Sequence, residues 1–319
     1  MTNGWRRRLT ARLSRGVMRK NRIMNRGIQI SKFIEAPHQS SFVGTTIVLS
    51  VVAVLSIVWA IPGATGKWTL AGLAGLLSLA IIRRAIYAVH AALIVLLLLL
   101  LVALVPLFQI WPLSILAPLV MYGAVVSIAP QLRHSVGWIH RGNINSVVIK
   151  LIIATVFVSA IALVGWVILA KPDIEHHLAL MPELPFWAYP FAGIGFAIFN
   201  AAMEEAIFRG IVVEALDSAL GAGYWSVAIQ AIPFAALHYL AGFPNGVLGF
   251  IMVLVYGVML GAIRRLSEGM LAPLVAHVAT DITIFAILAF IIFGSSRINV
   301  IFPLFEKGGI HFTGLNDKL

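Results

Sequence analysis

Three stretches of this chain, 42–61, 86–107 and 271–293, run for twenty residues or more with almost no charged side chain. Each matches the ~20 residues that an α-helix needs to cross the hydrocarbon core of a bilayer. Inside lipid every backbone N–H and C=O must be paired within the protein, so a crossing segment is either a helix or part of a closed barrel. Barrel strands would appear as alternating segments of about ten residues. The apolar blocks here are continuous, which selects helices. Composition agrees, since 61% of residues are hydrophobic and 11% charged, against roughly 25% charged in a soluble domain. The expected fold is an all-α, polytopic transmembrane helical bundle.

The formal net charge of +11 is concentrated, with ten of the 23 basic residues between Arg6 and Lys32 and no acid before Glu35. A basic segment beside a membrane is drawn to anionic lipid by ~1 kcal/mol per Lys or Arg. Anionic lipid is therefore the expected partner of this arm, and nucleic acid is not. Leu9, Leu13 and Val17, then Met24 and Ile28, recur at four-residue intervals, as in a helix lying in the interface. An Arg-rich, acid-poor start also has the composition of an organellar transit peptide, whereas no apolar core of a secretory signal occurs in the first 30 residues. The chain has no cysteine, which removes disulfides, thiolate nucleophiles and cysteine-ligated metal.

Breaks at Pro, Gly and charge divide the remainder into eight or nine spans, near 42–61, 68–82, 86–107, 110–129, 147–170, 187–208, 224–241, 246–263 and 271–293. With a cytoplasmic N-terminus, Arg83 and Arg84, Arg133 and Arg141, and Arg264 and Arg265 all fall on the cytoplasmic side, as the positive-inside rule requires. The expectation is a multi-pass protein of the cell (inner) membrane with four parts. These are a basic arm (1–40), an N-terminal scaffold of about five spans (41–186), a core formed by the last four spans (187–294) and a tail (295–319). His90, at the start of the third span, reads as interfacial.

Of the twelve acids, Glu204, Glu205 and Asp281 stand in apolar helical sequence, where a charge costs ~2.5–3.5 kcal/mol on insertion scales and usually marks function. In AAMEEAIFRG, Glu205 and Arg209 are four apart and can pair on one helix face. Glu204 points about 100° away, without an in-helix partner, and Asn200 one turn earlier shares its face. In PFAALHY, Phe234 precedes His238 by one turn. Glu204 and His238 lie at equal sequence distance on either side of Gly221, so two antiparallel helices place them at one depth. The amphipathic stretch 210–220 is expected to extend this hairpin beyond the lipid. In APLVAHVATD, His277 and Asp281 are four apart on the last span. Singly, each motif reads as a charged helix end or an interhelical hydrogen bonder. Jointly they place two imidazoles and a carboxylate in one cavity. Phe234 reads as packing, as do Gly193 and Gly195.

The ordered set EEAIFR, FAALH and HVATD, with GVMLGAIRRLSEG between the last two, resembles the CAAX prenyl protease and bacteriocin-processing intramembrane proteases over about 187–285. The resemblance implies an intramembrane endopeptidase. Glu204 would activate water, Glu205 would be held by Arg209, and His238 and His277 would orient water or stabilise the oxyanion. The last motif position is Asn or Asp in the family. Here Asp281 must be protonated, orient His277 or ligate a cation, because an ionised carboxylate cannot donate a hydrogen bond. The spacing is not that of HExxH zinc sites and a glutamate-activated water suffices, so no cofactor is expected. A divalent metal such as zinc would be held by Glu204, His238 and His277. The implied substrate is a membrane protein or lipidated peptide. Two other readings use the same residues, a proton- or cation-coupled transporter and a non-catalytic membrane scaffold or immunity protein. The first lacks the internal repeat and paired broken helices common in such folds.

Overall fold

The computed structural model describes residues 41–61 and 63–306, with the backbone alone at 241 and 294–306. Among these residues regular structure is entirely helical. The order is α1 (Phe42–Ala60), α2 (Lys67–Ile82), α3 (Ile86–Leu104), α4 (Leu113–Ile128), the short α5 (Pro130–Ser135), α6 (Ser146–Ala170), the short α7 (Glu175–Ala179), α8 (Tyr189–Glu205), a π-helical segment (Ala206–Val212), α9 (Val213–Leu220), α10 (Tyr224–Ala241), α11 (Gly246–Ser267) and α12 (Leu271–Glu306). Six helical segments are long and apolar enough to cross a membrane: α1, α3, α6, Phe186–Leu220, α11 and Leu271–Phe293. The chain is a multi-pass integral membrane protein. Of the other expected spans, α2 and α4 have 16 residues each and rise only ~24 Å. The third, α10, is diluted by Gln230, Pro233 and His238. The basic arm 1–40 and its lipid partner lie outside the described residues. The expected tail begins within α12, whose helix runs to Glu306.

Local chemistry sets several boundaries. Ser41 accepts a hydrogen bond from the Gly44 N–H at the start of α1, and the Asn145 side chain accepts from Val147 and Val148 at the start of α6. Each cap fills donors that a helix N-terminus leaves unpaired.

The main buried cluster joins α1, α3, the π-helical segment, α9 and α10 through residues such as Val51, Leu55, Ile94, Phe208, Leu216 and Phe234. Stretch 210–220 takes part in this cluster. Ile211 to Val213 and Ala215 to Ala219 are buried, because the apolar face read as amphipathic packs on α1 and α3. His90 is likewise buried within the protein. It bonds the Tyr122 hydroxyl at 2.6 Å and the Ser135 hydroxyl at 2.8 Å, which satisfies both ring nitrogens.

Four contacts fix the helices that carry the polar residues. On α8, a Cβ at Gly193 would come within 2.6 Å of the Phe285 ring, so the missing side chain lets α8 and α12 approach. Gln230 on α10 donates to the Gly257 carbonyl of α11 at 2.8 Å. Backbone bonds clasp the start of α12 to the loop before α6, from Met270 N to His140 O at 2.9 Å and from Leu271 N to Arg141 O at 3.3 Å. Arg265 of α11 grips both carboxylate oxygens of Asp217 on α9.

Candidate active site

The last turn of α8 and the first of the π-helical segment deliver Glu204, Glu205 and Arg209, all buried. A π-helix coils more widely than an α-helix and, inside an α-helix, often accompanies a functional site. Here it keeps Arg209 within 3.3 Å of Glu205 while redirecting the residues that follow into the main core. Arg209 has no exposed surface. Its guanidinium carbon lies 4.2 Å from the centroid of the Phe234 ring, a cation–π contact that accompanies the ion pair. Phe234, read from sequence as packing, is thus also the floor beneath this arginine.

The first turns of α12 bring His277 against both glutamates. Its Nδ1 is 2.8 Å from Glu205 Oε1, the oxygen that also faces Arg209. A carboxylate accepts, so Nδ1 donates and the ring orientation is set. Its Nε2 then faces Glu204 Oε2 at 3.5 Å and Asp281 Oδ1 at 3.6 Å. Phe234 and Tyr256 contact the imidazole edge-on, with centroids 6.0 and 5.6 Å away. Glu204, which has no partner within its own helix, is therefore paired across helices with His277. That contact is invisible to an argument confined to one helix. Glu204 Oε2 still accepts no hydrogen bond among the described residues.

His238 enters from α10 on the other side of Phe234, its ring centroid 5.1 Å from that of the phenyl ring. Its Nδ1 is 3.0 Å from the Phe234 carbonyl, which can only accept, so Nε2 is left free. The imidazole is half-buried. Gly242 lies flat against it, since a Cβ there would come within 2.6 Å of the imidazole Cδ2.

These groups end an apolar cavity of about 230 Å³ between α6, α10, α11 and α12. Val158, Ala162, Met252 and Ile284 belong to its apolar wall, and His238, Tyr256, His277, Thr280 and Asp281 to its polar part. Glu204 and Glu205 are not on the lining. They reach it through His277. Mostly apolar walls with a few convergent polar groups are the usual form of a site that binds an organic ligand.

The structure thus brings Glu204, Glu205, Arg209, His277 and Asp281 together and sets His238 on the same cavity. Two members were not assigned a role from sequence. Asn200 donates to Asp281 Oδ2 at 3.1 Å, a role its position one turn before Glu204 hinted at. Tyr256 lies in an apolar run with no polar neighbour to signal it. Among the described residues no group of three or more His, Asp or Glu side chains is arranged to hold a metal ion.

Residues 185–283 match a family of known sequences described as type II CAAX prenyl endopeptidase Rce1-like. No curated protein and no solved structure matches the chain. The matched segment holds Glu204, Glu205, Arg209, His238, His277 and Asp281 in the order of the three motifs, and over these residues the chain is similar to the CAAX prenyl endopeptidases.

Proposed function

We propose that this protein is an intramembrane endopeptidase that hydrolyses peptide bonds of membrane-associated proteins or lipidated peptides with water activated by Glu204, without a required cofactor. The observation that carries this reading is the contact of Glu204 with His277, which together with Asp281 lines the polar end of an otherwise apolar cavity. An extended, apolar peptide lies in the cavity with its scissile carbonyl beside His277 and His238. Glu204 Oε2, which accepts no hydrogen bond among the described residues, takes a proton from water as the water oxygen bonds to the carbonyl carbon. Free Nε2 of His238 orients that water. His277, held by Glu205 and Asp281, faces the oxygen on which negative charge develops. The C–N bond then breaks, and the proton held on Glu204 passes to the leaving amine. Arg209 acts through Glu205 and touches no substrate. The reaction takes place in or just below the cytoplasmic leaflet of the cell membrane, with the N-terminus cytoplasmic.

The test is cleavage in ¹⁸O-labelled water. Purified protein in liposomes is incubated with a set of membrane peptides, and products are weighed by mass spectrometry. One ¹⁸O in each new carboxyl end is expected. Intact peptides, with a cation flux abolished by Glu204→Gln, would replace this reading with transport.

A further inference from the structure

Asn200 sits where one side chain meets both halves of the chain. The Trp111 indole N–H, from the segment before α4, donates to Asn200 Oδ1 at 3.3 Å, and the Trp111 ring lies 5.2 Å from Phe196, one turn earlier on α8. On its other side Asn200 Nδ2 donates to Asp281 Oδ2 at 3.1 Å. The orientation of the amide follows from chemistry. An indole N–H is a donor only and a carboxylate is an acceptor, so the amide oxygen must face Trp111 and the NH₂ must face Asp281.

We infer that Asn200, locked by Trp111, is a positioning residue that holds Asp281 in its working orientation. Its NH₂ group donates to the acid without supplying or removing a proton, and an ionised Asp or an apolar residue at 200 cannot do so. By fixing Oδ2 of Asp281, Asn200 leaves Oδ1 turned toward His277 Nε2, 3.6 Å away. Trp111 lies outside the segment 185–283 that carries the other site residues. The N-terminal helices thereby contribute to the site through one indole.

The inference rests on the peptidase reading for its kinetic part and on the donor–acceptor pair for its structural part, and the variants separate the two. Asn200→Asp sets two carboxylates face to face, and Asn200→Asp/Asp281→Asn restores one donor and one acceptor with the polarity reversed. Trp111→Phe keeps the ring and removes the N–H. With a cleaved membrane peptide, Asn200→Asp is expected to lower kcat by roughly 10- to 100-fold, the worth of a hydrogen bond to a charged group, with little change in KM. The reversed pair should recover most of that loss, and Trp111→Phe should lower kcat by less. The melting temperature in detergent should likewise fall in Asn200→Asp and return in the reversed pair. An Asn200→Asp enzyme with wild-type kcat, or a reversed pair no better than Asn200→Asp, would overturn the inference while leaving the peptidase reading standing. If the wild type cleaves nothing, the peptidase reading fails alone, and the melting temperatures decide the pair.

Discussion

Arg209 offers the sharpest test of how this site is held together. It is fully buried, pairs with Glu205 at 3.3 Å and lies 4.2 Å from the Phe234 ring centroid. Arg209→Met keeps most of the length and removes the charge, leaving Glu205, itself 1% exposed, with His277 as its remaining partner. Removing one member of a buried pair costs roughly 3–5 kcal/mol, and the lost cation–π contact adds roughly 0.5–2 kcal/mol. The surviving His277 bond offsets part of this, so a loss of about 3 kcal/mol is expected. Removing both charges, in Glu205→Gln/Arg209→Met, relieves the unpaired acid and should recover much of that loss, since replacing a buried pair by neutral groups is often close to neutral. The assay is reversible unfolding in mixed detergent micelles followed by tryptophan fluorescence. An Arg209→Met protein within about 1 kcal/mol of wild type, or a double variant no more stable than the single one, would refute the reasoning.

Gly242→Ala places a methyl against the His238 ring, within 2.6 Å of Cδ2, and is expected to reduce kcat at least about tenfold by displacing Nε2, the scale on which small misplacements in an active site are felt; circular dichroism checks that the helices persist. Ala162→Phe fills the apolar cavity from its α6 wall and should raise KM by roughly tenfold or more, the worth of one buried apolar side chain, with a smaller change in kcat; Michaelis kinetics on one membrane peptide separate the two constants. His90→Ala leaves the Tyr122 and Ser135 hydroxyls without their buried partner and should cost roughly 1–3 kcal/mol of stability while cleavage per folded molecule stays unchanged, as unfolding and activity measured on the same preparation would show.

Whatever depended on spacing along one helix was legible in the sequence. The Glu205–Arg209 and His277–Asp281 contacts follow from a four-residue interval, and most helix boundaries follow from Pro, Gly and charge. Between helices the sequence reached only a shared depth and cavity for Glu204, His238 and His277, and not the atoms that meet. His277 against both glutamates, and Asn200 between Trp111 and Asp281, join residues tens of positions apart, and no periodicity encodes which faces meet. The amphipathic pattern of 210–220 says that one face seeks apolar company without saying which, and α1 and α3 supply it. The partners of His90, on α4 and α5, left no trace in the sequence around it.

The central claim is that Glu204 takes the proton from the attacking water. Glu204→Gln keeps the shape and the contact with His277 and removes only the basic oxygen. Single-turnover cleavage of one membrane peptide by wild type and Glu204→Gln, in the same liposomes and at matched folded concentration, measures this directly. Loss of a general base is expected to slow the reaction by at least ~10²-fold, while peptide binding measured separately is unchanged. Equal cleavage rates for the two proteins would contradict the assignment of Glu204 as the base.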